Sequence, residues 1–108
     1  MENAERQLRA AQNQMLFRSV NDQIKEASEK LGDSTEELDF ACECADDMCV
    51  EKIRLSPHQF LGIESEVNRF IVLRGHEIPE VEDVIAERDG FVIVSKRGAG
   101  AEYVKEHS

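Results

Sequence analysis

Three cysteines fall within eight residues, as Cys42-Glu43-Cys44-Ala45-Asp46-Asp47-Met48-Cys49. No other stretch of the chain gathers so much soft, deprotonatable chemistry. Alternate residues of an extended segment share a face, so Cys42 and Cys44 can offer two sulfurs to one centre. The four residues before Cys49 are turn-prone and can carry the third sulfur back to the same point. Zinc takes four tetrahedral ligands, and three thiolates with one imidazole form a known structural set. The C-x-C-x4-C spacing is not the C-x2-C of common zinc fingers. A disulfide framework fits worse, because three is an odd number. Cys42 and Cys44 would sit at the upper limit of bridgeable distance, whereas Cys44 with Cys49 is feasible. In a reducing compartment such a cluster points to metal before redox pairing. Free cysteines also occur as small buried hydrophobes. Glu43, Asp46 and Asp47 make this segment a poor core strand, and their charge should oppose thiolate formation until a cation binds.

Three histidines compete for the fourth position. His107 lies in the C-terminal segment and would have to be ordered before it could bind. His58 falls in the first turn of a predicted helix. His76 ends a predicted strand just past Gly75, where the backbone can turn sharply. The residues alone leave His58 and His76 even.

The elements that must position these side chains follow from periodicity. Residues 3–31 read as one helix, with Leu16, Val20, Ile24, Ala27 and Leu31 recurring on one face, the expected core face. Arg18, Asp22 and Lys25 fall among the charges of the expected solvated remainder. Leu8, Met15, Asp22 and Glu29 share a heptad position, which argues against a long self-pairing coiled coil. Gly32 is a helix stop. Leu38, Phe40 and Cys42 alternate as a half-buried strand, and Val50, Ile53 and Leu55 suggest its return. Ser56-Pro57-His58-Gln59 opens a helix expected to run to about Asn68, burying Phe60, Leu61, Ile63 and Val67. Phe70–Leu73 forms a strand, and Asp89-Gly90 joins two further apolar runs as a hairpin. Gly98-Ala99-Gly100-Ala101 starts a segment that reads as loose.

The stretch FACECADDMCVEKIRLSPHQF with NRFIVLRGHEIPEVEDVIAERDGFVIVSK resembles a family of small bacterial proteins without an assigned activity. The shared pattern is an aromatic residue, Cys-x-Cys, a third Cys, an apolar strand, a helix, Arg-Phe, a strand, Gly-His-Glu, a proline and a terminal hairpin. The resemblance covers roughly residues 15–97 and includes Val20-Asn21 in the opening helix. It implies that Gly75-His76-Glu77 is the family's Gly-His-Glu, which favours His76 over His58 as the ligand. Arg74 departs from the pattern, where a proline is expected.

The 108 residues suffice for one domain with a modest core. Against 23 acids stand 13 Lys and Arg, a formal net charge of −10. That balance argues against a sequence-independent grip on nucleic acid, which needs clustered cations. The acidity is uneven: residues 1–31 carry five acids and five bases, and the remaining segment carries all of the net charge. No apolar run approaches the ~20 residues of a membrane span. The polar start MENAERQLRAAQNQ lacks a signal-peptide core, so a cytoplasmic address is expected. Glu80, Glu82, Asp83, Glu87 and Asp89 read as a solvated strand face rather than a catalytic carboxylate set. No phosphate loop or nucleophile motif is present.

The expectation is therefore an α+β fold: a long N-terminal helix (1–32), a metal-clamped domain (33–97) with a small antiparallel sheet and one shorter helix, and a flexible tail (98–108). Zinc is expected on Cys42, Cys44, Cys49 and His76, with no catalytic residues. A protein partner bound through the N-terminal helix is expected, with a homodimer left open and no contact with nucleic acid or membrane. The alternatives are a thiol-based sensor that releases zinc on oxidation and, more weakly, a metalloenzyme in which Glu77 serves as base.

Overall fold

Turn chemistry divides the chain into two hairpin units and three helices. The computed structural model describes residues 2–32, 35–46, 48–66 and 68–107, so Asp47 and Val67 lie outside the described residues. Helix α1 spans Glu2–Leu31 and ends at Gly32, whose φ of 83° supplies the expected stop. Strands β1 (Leu38–Ala41) and β2 (Lys52–Leu55) pair antiparallel, with Phe40 opposite Ile53. Ser56 then caps helix α2 (Pro57–Glu64) through the expected reciprocal bonds with Gln59. The helix stops at Glu64, short of Asn68. It buries Phe60, which stacks on Phe40 at 4.8 Å, but leaves Leu61 exposed.

Strand β3 (Arg69–Leu73) lies beside β5 (Phe91–Lys96), and β5 in turn pairs with β4 (Glu82–Arg88) across the Asp89-Gly90 turn. The sheet order is β3-β5-β4. The fold is thus α+β, with its strands divided between two small antiparallel sheets rather than one. Phe70, Ile71 and Val72 of β3 and Val92, Ile93 and Val94 of β5 join Phe40, Ile53, Leu55 and Phe60 in the core.

Residues 98–107, where the glycine-rich pattern suggested a loose tail, form helix α3 (Gly98–His107) packed on α1. Val104 is fully buried there and Ala101 nearly so. The small residues permit a close approach: a Cβ on Gly98 would come within 2.6 Å of Gln7 Oε1, an atom that accepts from Ala99 N.

Helix α1 is turned about its axis relative to expectation. Leu16 is 66% exposed, Val20 47% and Leu31 87%, and Ala27 is exposed too. Of the predicted core stripe only Ile24 packs against the core. The buried face is Ala11, Gln14, Arg18, Asn21 and Ser28. Its polar side chains meet polar groups that the rest of the fold has already buried. Glu82, expected on a solvated strand face, is one of these. It takes Lys96 Nζ at 3.3 Å and Gln14 Nε2 at 2.6 Å, and both members of the Glu82–Lys96 pair are sealed from solvent.

Candidate metal centre

The chain after β1 stays extended and runs along the free edge of β3. Glu43 N donates to Ile71 O at 2.7 Å, and Leu73 N donates to Cys42 Sγ at 3.3 Å. Extension places Cys42 and Cys44 on one side, both buried. Cys42 N bonds Glu51 O at 3.2 Å, which closes the base of the loop leading to β2. Within that loop Asp46 makes the turn: its carboxylate accepts from Met48 N at 2.9 Å and its carbonyl from Cys49 N at 3.1 Å. Cys49 is thereby carried back, half-buried, to the first two sulfurs.

The fourth group arrives from the end of β3. Gly75, at φ 93°, permits a turn in which His76 N donates to Leu73 O at 2.9 Å. That turn sets His76 Nδ1 3.7 Å from both Cys42 Sγ and Cys49 Sγ. The three sulfurs and one ring nitrogen all lie within 4.8 Å of one another. A tetrahedral ion with metal–sulfur bonds of about 2.3 Å and metal–nitrogen bonds of about 2.0–2.1 Å has sulfur–nitrogen edges of about 3.6 Å and sulfur–sulfur edges of about 3.8 Å. The two sulfur–nitrogen separations of 3.7 Å come close to the first of these, so the four residues lie close enough to bind one metal ion. His58 is exposed on α2 and outside the cluster, while His107 stacks on Tyr103 of its own helix at 3.9 Å.

Crowding three thiols makes them titrate unequally. A hydrogen bond from Cys42, helped by His76, pulls the Cys44 thiol down to about 5. Its partner Cys42 is pushed up, first by holding that shared proton and then by burial. Cys49 is raised chiefly by burial. One thiol is thus lowered while its two neighbours are raised, and the shifts come chiefly from the sulfurs themselves and from burial.

Glu43, the middle residue of Cys-x-Cys, must face away from the two sulfurs, and that direction leads into the core. It is fully buried. Arg18 forks onto its carboxylate, with Nε 2.7 Å from Oε2 and Nη2 2.9 Å from Oε1. Asn21 Nδ2 and Ile71 N, each at 3.0 Å, add two more donors. The guanidinium lies over the Phe70 ring at 4.5 Å and near Phe60 at 5.4 Å. Gln14 and Asn13 hold the carbonyls of Glu43 and Ala45, and Asn21 both donates to and accepts from the backbone of Ala41. One face of α1 therefore grips the backbone of residues 41–45.

Sequence reasoning placed the four candidate ligands but missed this support. Its signal was available: a charged residue between two cysteines that face one buried centre needs a partner on the opposite side. The spacing of Gln14, Arg18 and Asn21 supplies one polar helical face for it. A shallow cleft lined by Cys44, Asp46, Gly75 and His76 opens beside the cluster. Among the described residues no helix is long and apolar enough to cross a membrane. No protein-family model, curated protein or solved structure matches the chain.

Proposed function

We propose that this is a zinc-binding, non-catalytic interaction or regulatory protein whose Cys42, Cys44, Cys49 and His76 form a structural site. The observation that carries this reading is the 3.7 Å spacing of His76 Nδ1 from two sulfurs, close to the sulfur–nitrogen edge of a tetrahedral zinc complex. Four protein donors fill a tetrahedron and leave no position for a reacting water, which favours a structural over a catalytic role. Such a site ties the loop after β1 to the end of β3 and adds folding energy to a small core. It also fixes the backbone that α1 grips, and α1 in turn presents Leu16, Val20 and Leu31 outward as the partner-binding element. Relationship to the family of small bacterial proteins, on Cys-x-Cys and Gly75-His76-Glu77, belongs to the same proposal.

Metal analysis with native mass measurement on the reduced chain tests it. One zinc per chain is expected, removable only by strong chelators. A reduced chain that stays folded with no metal would overturn it. A second reading, a thiol sensor that releases zinc on oxidation, is favoured by the cleft reaching Cys44 and by its depressed thiol. Mild peroxide should then eject the metal and form a disulfide, whereas a purely structural site keeps its metal and forms no disulfide.

A further inference from the structure

The outward face of α1 has an internal symmetry. Leu16 and Leu31 lie equally far from the midpoint between Gln23 and Ile24, and inside them so do Val20 and Ala27. At 100° per residue the four fall within an arc of about 60°, on the side opposite Gln14, Arg18 and Asn21. All four are exposed. An isologous two-fold contact requires that when one residue touches another across the interface, the reverse contact also forms. A stripe that reads the same in both directions meets that condition for two antiparallel helices. We propose that α1 pairs with α1 of a second copy of this chain, antiparallel, with Leu16 against the partner's Leu31, Val20 against the partner's Ala27, and the two-fold axis at Gln23 and Ile24.

Charge selects the same occupant and the same face. Residues 1–31 carry five acids and five bases, whereas all of the chain's net −10 lies beyond them. The net repulsion between two copies therefore comes from residues outside α1, the one long element whose charges balance. The contact is short. The fifteen steps from Leu16 to Leu31 span ~22 Å of helix, so the buried area falls below that of a standard interface and the dimer is weak and concentration-dependent. This is compatible with the polar heptad positions Asp22 and Glu29, because the stripe lies on a different face and runs for only four turns. Added salt should strengthen the dimer, since it screens the repulsion between acidic bodies and leaves the apolar contact intact.

This inference rests on the reading of α1 as the interaction element but not on the metal, and the two are measured separately. Sedimentation of the full chain, from low micromolar to near-millimolar concentration, should show a reversible dimer. Leu16→Glu should weaken it by about tenfold or more, because it sets a charge against the partner's Leu31 at both ends of the stripe. Combining Leu16→Glu with Leu31→Lys should restore it, because each copy then meets the opposite charge at both ends of the stripe. Helix content and metal-to-chain ratio on the same samples check that each variant is folded. A folded wild-type chain that stays monomeric throughout overturns the self-pairing while leaving another protein as the helix's partner. A dimer unaffected by Leu16→Glu, or a double variant no better than the single, overturns the antiparallel register.

Discussion

Two groups of polar side chains are buried side by side in this molecule, and they differ in what they lack. On one side of residues 42–44, Glu43 finds Arg18, Asn21 and a backbone donor, and nearby Glu82 finds Lys96 and Gln14. Both carboxylates meet a cation, so their charge is balanced within the protein. On the other side, Cys42, Cys44, Cys49 and His76 converge four electron-pair donors with no cation among them. Burial weighs on ionised carboxylates, and the chain supplies their partners; thiols and imidazole can stay neutral, and the thiols give up their protons when a cation binds them. A self-balanced network is structure. A donor set with no counter-charge is compatible with an ion from outside.

The comparison predicts its largest effect where the outside ion is lost. Cys44→Ser should remove a ligand and with it metal-coupled folding energy of up to ~10 kcal/mol, seen as loss of bound metal and a collapse in Tm. His58→Ala, on an exposed residue outside the cluster, should change stability by less than about 0.5 kcal/mol. Similar shifts in the two variants would remove the distinction between the donor set and an ordinary surface. His76→Ala should retain the fold better but yield its metal to a chelator sooner. Acid should release metal from the wild type, since thiolates and imidazole bind only when deprotonated.

The balanced network should respond in the opposite manner. Arg18→Ala leaves the Glu43 carboxylate buried without a cation, at a cost of about 3–5 kcal/mol in denaturant unfolding. Replacing both partners, as Arg18→Met with Glu43→Gln, should recover much of that loss, because the unpaired charge has gone too. No second change inside the protein should similarly rescue Cys44→Ser. If the double variant is as unstable as Arg18→Ala, the pair does more than balance charge.

The contrast also explains what the sequence made legible. The cysteine cluster, the Ser56–Gln59 cap and the Asp89-Gly90 turn are local, and each depends on residues a few positions apart. The orientation of α1 is not local. Leu16, Val20 and Leu31 form a better apolar stripe than Ala11 and Met15 do, so periodicity selects the wrong face. What decides the outcome is Glu43, whose partner Arg18 lies 25 residues away. An unpaired buried carboxylate outweighs two or three half-exposed aliphatic side chains, at about 0.8 kcal/mol per CH2 group they would bury. Helix α3 was hidden in another way. Gly98 and Gly100 read as loop formers, but they serve to let Gln7 and Lys96 come close, a need visible only once α1 is in place.

A third polar contact falls between the two extremes and gives the smallest effect. Where α1 meets α2, Asp22 and Glu64 share Lys25 as their ion-pair partner, and the Arg18 guanidinium acts on both only through its charge. Lys25 bonds Glu64, while it stands 3.8 Å from Asp22 Oδ1, an atom left without a hydrogen-bond partner. Burial, then the hydrogen bond and the charge of Glu64, push Asp22 up to about 7, while Glu64 is held low. For an acid whose folded value is raised, the folded state holds the proton more tightly than the unfolded one. Its stabilising effect is present at low pH and is lost as pH rises from the ordinary carboxylate range through about 7. Asp22→Asn keeps a neutral donor toward Glu64 and cannot ionise. The variant should therefore match the wild type near pH 5 and exceed it near pH 8, by a few tenths of a kcal/mol because the Asp22 side chain is 39% exposed. Comparing the two chains at each pH cancels any metal release in acid, which they share. Parallel stability profiles across that range would show that Lys25 balances both carboxylates, and the contact would then belong with the self-sufficient network around Glu43.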